Sequence, residues 1–297
     1  MTFISCLRSL RLRTLPLSLS GIIIGMSLAS TAGRLEWPTS IALILTASLL
    51  QILSNLSNEL GDTLHGTDTA EERQGMHYSI MDGEMTVAEM KRLIAITAVL
   101  CCTCGLIMVA ASFKQIFAPL PIAFLILGAG AIWAAMHYTL GDNPYGYRGL
   151  GDIFVFIFFG LVSTLGAAYI CCHSIQILWV LPACAVGLFS MGVLNVNNIR
   201  DMKSDAATRT TVAIRLGAQK ARIYQTILIT SGWIMLIAFL AIRSKGLISF
   251  LPVLALPLFC LHIKGIWTRE DRALDPMLPL LVMSTFLTAI LFAVTLA

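Results

Sequence analysis

Asn58 and Asp62 stand four residues apart, and Asn197 and Asp201 repeat that pairing further along the chain. Four residues is close to one helical turn, so on a helix each amide and its carboxylate point the same way. Asp68 follows the first pair and Asp205 follows the second. Carboxylates gathered in this way repel one another unless a cation offsets them. Their oxygens, and those of the amides, are hard ligands suited to Mg²⁺, which takes few protein carboxylates and completes its shell with water and substrate phosphates. Two such clusters can hold metal that bridges a diphosphate, and the interleaved Arg73, Arg200, Lys203 and Arg209 suit the same anion. Gly61 and Gly66 are expected to let the backbone turn tightly, returning Asp68 towards the site. Ordinary solvated helix ends explain either cluster alone, but not the same Asn/Asp pairing twice.

The elements that must carry these residues are membrane helices. The 297 residues are 57% hydrophobic and only 12% charged, about half the charge of a typical soluble domain. Crossing the ~30 Å hydrocarbon core takes about 20 mostly apolar residues. Runs of that kind occupy residues 15–30, 37–56, 93–112, 116–137, 153–172, 175–196, 223–242, 247–263 and 277–297. They are continuous rather than alternating, which excludes a β-barrel. The expected fold is an all-α integral membrane protein of about nine transmembrane helices, forming a single domain over residues 1–297. The basic segment before residue 15 resembles a secretory leader, but the many spans that follow favour a first membrane helix.

Of the 20 Lys and Arg, all but Arg34, Lys114, Arg243 and Lys245 fall in the amino terminus and the loops that follow even-numbered spans. That asymmetry predicts a cytoplasmic amino terminus, an external carboxyl terminus, and both acidic clusters at the cytoplasmic surface. The formal net charge of +4 then belongs to cytoplasmic loops and does not call for a nucleic-acid partner. The eight cysteines lack paired metal-ligand spacing and read as small apolar residues in a reducing setting. A secondary transporter would be expected to bury ionisable residues in mid-span, and the runs contain none there.

These residues resemble the UbiA-type membrane prenyltransferases. The likeness rests on Arg13-Thr14-Leu15-Pro16, on Asn58…Asp62…Gly66-Thr67-Asp68-Thr69-Ala70-Glu71 and on Tyr147-Arg148-Gly149-Leu150-Gly151-Asp152. It continues in Asn197-Asn198-Ile199-Arg200-Asp201…Asp205 and in Arg209-Thr210-Thr211-Val212-Ala213-Ile214-Arg215-Leu216-Gly217. The resemblance implies helices around a central cavity, with acidic motifs at its cytoplasmic mouth. It implies Mg²⁺ held by Asn58, Asp62, Asp68, Asn197, Asp201 and Asp205. Glu59 stands where the family usually has Asp, so no metal role is carried over to it.

The activity implied is transfer of a polyprenyl chain from its diphosphate to 1,4-dihydroxy-2-naphthoate with loss of CO₂, in the bacterial inner membrane. Other aromatic acceptors of the same fold, 4-hydroxybenzoate or homogentisate, are the alternatives. Asp62, Asp201 and Arg148 are the expected catalytic residues, with Arg148 meeting the acceptor carboxylate or the diphosphate. Arg73, Arg200 and Lys203 are expected to bind substrate, and Tyr138 and Tyr147 to face a developing allylic cation. Residues 218–297 carry no specific expectation.

Overall fold

The computed structural model describes residues 3–33, 35–66, 79–244 and 246–296. Among them no strand occurs, and nine helical stretches are long and apolar enough to cross a membrane. These are α1 (Ser5–Ser30), α2 (Trp37–His65), α3 (Val87–Ser112), α4 (Pro119–His137), α5 (Gly151–Cys172), α6 (Ile177–Arg200), α7 (Ala218–Arg243), α8 (Leu247–Thr268) and α9 (Asp271–Leu296). The chain is a multi-pass membrane protein. Its large exposed side chains include Trp37, Phe117 and Leu247, each at least 80% exposed at or near the start of a span. An interface of lipid and water solvates such residues as a purely aqueous surface would not.

Several spans run past their apolar runs because local chemistry lets them. The helix α2 continues nine residues beyond residue 56, so that Asn58 and Asp62 ride on its last turns. The helix α6 continues to Arg200, which places Asn197 in its final turn and Asp201 at its carboxyl cap. Thr86 starts α3 by a capping box, its hydroxyl accepting from the Glu89 backbone N–H while Glu89 bonds back to the Thr86 N–H. Other spans are irregular. A 3₁₀ turn at Leu12–Thr14 interrupts α1, α5 winds as a π-helix over Phe156–Gly166, and α8 opens as a 3₁₀ segment, Leu247–Ala255, around Pro252.

The chain divides into two compact units, each with its own core. The first comprises Met1–Leu15, Ala42–Gly151 and Lys203–Thr211, and its core is built from Leu53, Leu56, Leu60, Met85, Met90 and Ile94. The second comprises Pro16–Ile41, Asp152–Met202 and Val212–Ala297. Phe189, Trp233 and Phe259 meet in its core with ring centroids 4.7–5.9 Å apart.

Lipid tails are as apolar as leucine, so helices in a membrane associate through close packing and small residues rather than by escaping water. Gly160 of α5 and Gly187 of α6 do this in the second unit. A Cβ on Gly160 would sit 2.6 Å from the Gly187 Cα, and one on Gly187 would sit 2.7 Å from the Phe156 ring. Overpacking a well-filled contact costs about 1–3 kcal/mol. Gly160→Val is therefore expected to lower the melting temperature of the detergent-solubilised protein by several degrees. Gly128→Ala in α4, where a Cβ meets nothing within 4 Å, is the matched control and should leave it unchanged.

Candidate active site

In the first unit, Asp62 and Asp205 converge on one guanidinium. Arg209 Nη2 lies 3.4 Å from Asp62 Oδ1, and its Nε lies 3.1 Å from Asp205 Oδ1. All three are nearly buried, with 12%, 4% and 11% of the Asp62, Asp205 and Arg209 side chains exposed. Burial by itself lowers the pKa of an arginine; the charges of Asp62 and Asp205 outweigh it and hold Arg209 above its ordinary value. Tyr147 completes the group. Its hydroxyl donates to Asp62 Oδ1 at 2.9 Å, and its ring lies under the Arg209 guanidinium at 5.0 Å.

Local backbone chemistry puts these groups there. Tyr147 sits on the 3₁₀ turn Tyr145–Arg148, which ends on Gly149 in the left-handed region at φ 78°. The Tyr147 carbonyl accepts from the Thr210 N–H at 2.9 Å, pinning the Asp205–Arg209 segment to that turn. Asn58, one turn before Asp62, accepts from the Thr139 hydroxyl at 3.2 Å.

In the second unit, Arg200 binds the Asn197/Asp201 pair. Its Nε donates to Asp201 Oδ1 at 2.8 Å, and its Nη2 donates to Asp201 Oδ2 at 2.5 Å and to Asn197 Oδ1 at 2.8 Å. A single fork reaching both acceptors means that Asn197 and Asp201 do point the same way, as their spacing predicts. Arg200 Nη1 also meets Asp275 at 3.1 Å, and Arg272 lies 3.6 Å from Asp201.

The UbiA prenyltransferase family model matches residues 18–295, across both units. The chain belongs to that family. It is 40% identical to the 1,4-dihydroxy-2-naphthoate octaprenyltransferase of Escherichia coli (strain K12) over 288 residues, which cover 96% of this chain and 92% of that one. Its fold is that of the apo UbiA homologue from Aeropyrum pernix K1, at a TM-score of 0.72 and 16% identity over 96% and 98% of the two chains. It is also that of a UbiA homologue from Archaeoglobus fulgidus bound to GPP and Mg²⁺, at 0.67 and 14% identity over 97% and 99%.

For a UbiA-family chain the acidic residues are placed with economy. The structure brings Asp62, Asp205, Arg209 and Tyr147 together in one unit, and Asn197, Asp201 and Arg200 in the other. Asp68 and Arg73 lie outside the described residues. Arg148 and Lys203 are exposed. Tyr138 packs edge-on against Tyr145 at 5.5 Å. The Tyr145 hydroxyl donates to the Ala134 carbonyl, and burial pushes it above the ordinary phenol range.

One expectation is corrected. Gly61 does not turn the chain, for it lies inside α2. A Cβ there would meet Thr139 at 2.5 Å, so this glycine admits the segment that bonds Asn58. The turn falls at Gly66 instead, at φ 61°. Glu59, for which no metal role was expected, makes its contacts outside the Asp62–Arg209 group. It is 1% exposed, and its Oε1 lies 3.4 Å from both the Ser9 hydroxyl and the Ile80 N–H, tying α2 to the amino-terminal helix and residues 79–80. One methylene more than Asp suits that reach. Sequence reasoning missed Arg272 and Asp275. The signal was present in the charged loop between residues 263 and 277, on the face predicted to be cytoplasmic, but no spacing there repeats the Asn/Asp motif.

Among the described residues no three His, Cys, Asp or Glu side chains gather closely enough to hold a metal unaided. Asp62 with Asp205, and Asp201 with the Asn197 amide, offer one or two hard oxygen ligands each. This suits a cation that takes few protein carboxylates and completes its shell on phosphate and water. Arg209 is what permits two buried carboxylates to coexist. Removing one partner of a buried ionic group costs about 3–5 kcal/mol. Arg209→Ala is expected to lower the melting temperature more than Lys203→Ala at the exposed neighbouring position, with Arg209→Lys intermediate.

Proposed function

We propose that this chain transfers a polyprenyl group from an allylic diphosphate to 1,4-dihydroxy-2-naphthoate, with loss of CO₂, giving the demethylmenaquinone skeleton. The observation that carries the reading is the 40% identity, over 96% of this chain, to an Escherichia coli enzyme named for that acceptor. We further propose that residues 1–297 act as one domain, since the family model runs through both compact units. The chemistry takes place at the cytoplasmic face of a bacterial inner membrane, with the amino terminus inside and the carboxyl terminus outside. The skew of Lys and Arg towards the loops after even-numbered spans supports that orientation.

The residues that would hold Mg²⁺ are Asn58, Asp62, Asp68 and Asp205 around the first motif, and Asn197 and Asp201 in the second. A solved homologue from Archaeoglobus fulgidus carries GPP and Mg²⁺, and the hard-oxygen donors here suit the same cation. When bound, Mg²⁺ neutralises diphosphate oxygens and eases their departure as an anion.

The chain's own residues do the rest. Arg209, Arg200 and Arg272 pair with carboxylates. A guanidinium fork matches a diphosphate as well as it matches a carboxylate, so these arginines are suited to bind the anion beside the carboxylates that would hold the metal. In the bond changes, the allylic C–O bond breaks with its electron pair going to diphosphate. A ring carbon of the acceptor donates a pair to the allylic carbon, and the carboxylate C–C pair returns to the ring as CO₂ departs. No net proton is taken up or released. Arg148, exposed beside the Tyr147 turn, is assigned to the acceptor carboxylate or the diphosphate. Tyr147 and Tyr138 offer aromatic faces to the allylic cation.

Purified protein given Mg²⁺, farnesyl or a longer polyprenyl diphosphate, and either dihydroxynaphthoate or 4-hydroxybenzoate is expected to yield a decarboxylated prenyl naphthoquinol from the first acceptor, read by mass spectrometry. Product from 4-hydroxybenzoate alone would overturn the acceptor and keep the reaction class. Removing one preorganised group that stabilises transition-state charge costs about 10²–10³-fold. Asp62→Ala, Asp201→Ala and Arg148→Ala should each lose at least that much turnover, with the melting temperature unchanged for Arg148→Ala.

A further inference from the structure

Four helices of the second unit meet at a line of buried polar side chains that the reaction above does not use. Asn195 of α6, Gln225 of α7 and His262 of α8 are each 1% exposed or less. The bonds run in one direction. Asn195 Nδ2 donates to the Ala221 carbonyl at 3.1 Å and to Gln225 Oε1 at 2.8 Å. Gln225 Nε2 lies 3.0 Å from His262 Nε2, and His262 Nδ1 lies 3.1 Å from the Met277 carbonyl of α9. Carbonyls at both ends can only accept, so the order of donors is fixed from end to end. Gln225 must offer its N–H to an unprotonated His262 Nε2, and His262 must be neutral with its proton on Nδ1.

Packing alone does not call for this arrangement. Apolar side chains of similar volume would fill the space without the cost of desolvating two amides and an imidazole. What such a polar line adds is a preferred geometry, because a slip or rotation of any member strands a further buried donor or acceptor. The helix so fixed is the one that carries the second Asn/Asp motif. At about 100° per residue, Asn197 and Asp201 project roughly 200° and 240° around α6 from Asn195. The line therefore grips the back of the helix within two turns of the motif on its front. Gly192, three residues earlier, brings α6 close against the same neighbours. A Cβ there would sit 3.1 Å from both Gln225 Nε2 and Ile229 Cδ1. Side-chain atoms lie about 5–6 Å from a helix axis, so a rotation of about 20° would swing the Asp201 and Arg200 side chains by about 2 Å, enough to break the contacts they make with Arg272 at 3.6 Å and Asp275 at 3.1 Å on α9.

We infer that the Asn195–Gln225–His262 relay sets the rotation of α6 and thereby aims Asn197 and Asp201. The three are positioning residues, and the inference rests on the reading of Asn197 and Asp201 as metal-holding. It gives a role to α7 and α8, from which the sequence yielded none.

The test reads metal binding rather than turnover. The melting temperature of the full chain in detergent is followed against Mg²⁺ concentration at fixed inorganic pyrophosphate. Gln225→Leu breaks the line. His262→Asn keeps a donor for Met277 and loses the acceptor facing Gln225, whereas His262→Gln keeps that acceptor and loses the bond to Met277. Outer-shell partners of metal ligands typically contribute 10–100-fold in affinity, so Gln225→Leu and His262→Asn should need about tenfold more Mg²⁺ for half the stabilisation. His262→Gln should stay close to the unmodified chain even if its melting temperature without metal is lowered as far as that of His262→Asn.

Equal Mg²⁺ dependence in His262→Asn and His262→Gln would overturn the relay and leave only a packing role, and this comparison stands even if Gln225→Leu fails to fold. A stabilising Mg²⁺ response in the unmodified chain that persists unaltered in every variant would overturn the relay while sparing the metal reading. Absence of any response in the unmodified chain would overturn the metal reading, and the relay with it.

Discussion

A carboxylate withdrawn from water must be met by a cation, and in the first unit that requirement falls on Arg209. Asp62 reaches it from the end of a long membrane helix, and Asp205 reaches it along the same short segment. Without the guanidinium, two nearly buried negative charges would face each other uncompensated, at a cost of several kcal/mol. Much else in the unit serves this contact. The Tyr147 hydroxyl bonds Asp62, its ring underlies Arg209, and its carbonyl holds the Thr210 N–H. The turn that presents Tyr147 ends on a left-handed glycine, and Gly61 opens α2 to the segment that follows α4.

The same solution recurs in the second unit with different residues. Arg200 bonds Asp201 and Asn197, while Arg272 and Asp275, from the turn that begins α9, close around them. Each acidic motif thus comes with a basic partner able to exchange a carboxylate for a phosphate. That exchange links the structure to the proposed chemistry, because the groups that pair with the carboxylates are those suited to the leaving anion. A prenyltransferase needs both properties at one membrane surface, with apolar spans to accommodate the lipid tail.

Polar bonding between the packed helices follows a different rule. The Asn195–Gln225–His262 line bears no formal charge and lies wholly inside the second unit. Where lipid gives helices little reason to prefer one rotation over another, a directional line of donors and acceptors does. Gly160, Gly187 and Gly192 work alongside it by letting helices come close enough for short contacts.

Much of this was legible in the sequence. Continuous apolar runs give nine spans because the bilayer requires a fixed length of apolar helix, and every such run holds a span in the structure. The Asn/Asp spacing fixes which side chains share a helix face, since 3.6 residues per turn is a local property. The same spacing places both motifs on helices that outlast their apolar runs. Both α2 and α6 continue into their polar motifs because backbone bonding, rather than hydropathy, ends a helix. The sequence could not show that Glu59 meets Ser9, that Gly61 serves a close approach, or that Arg272 and Asp275 reach Asp201 and Arg200. Those contacts join residues 50 to 78 positions apart, and only tertiary packing decides which polar group meets which.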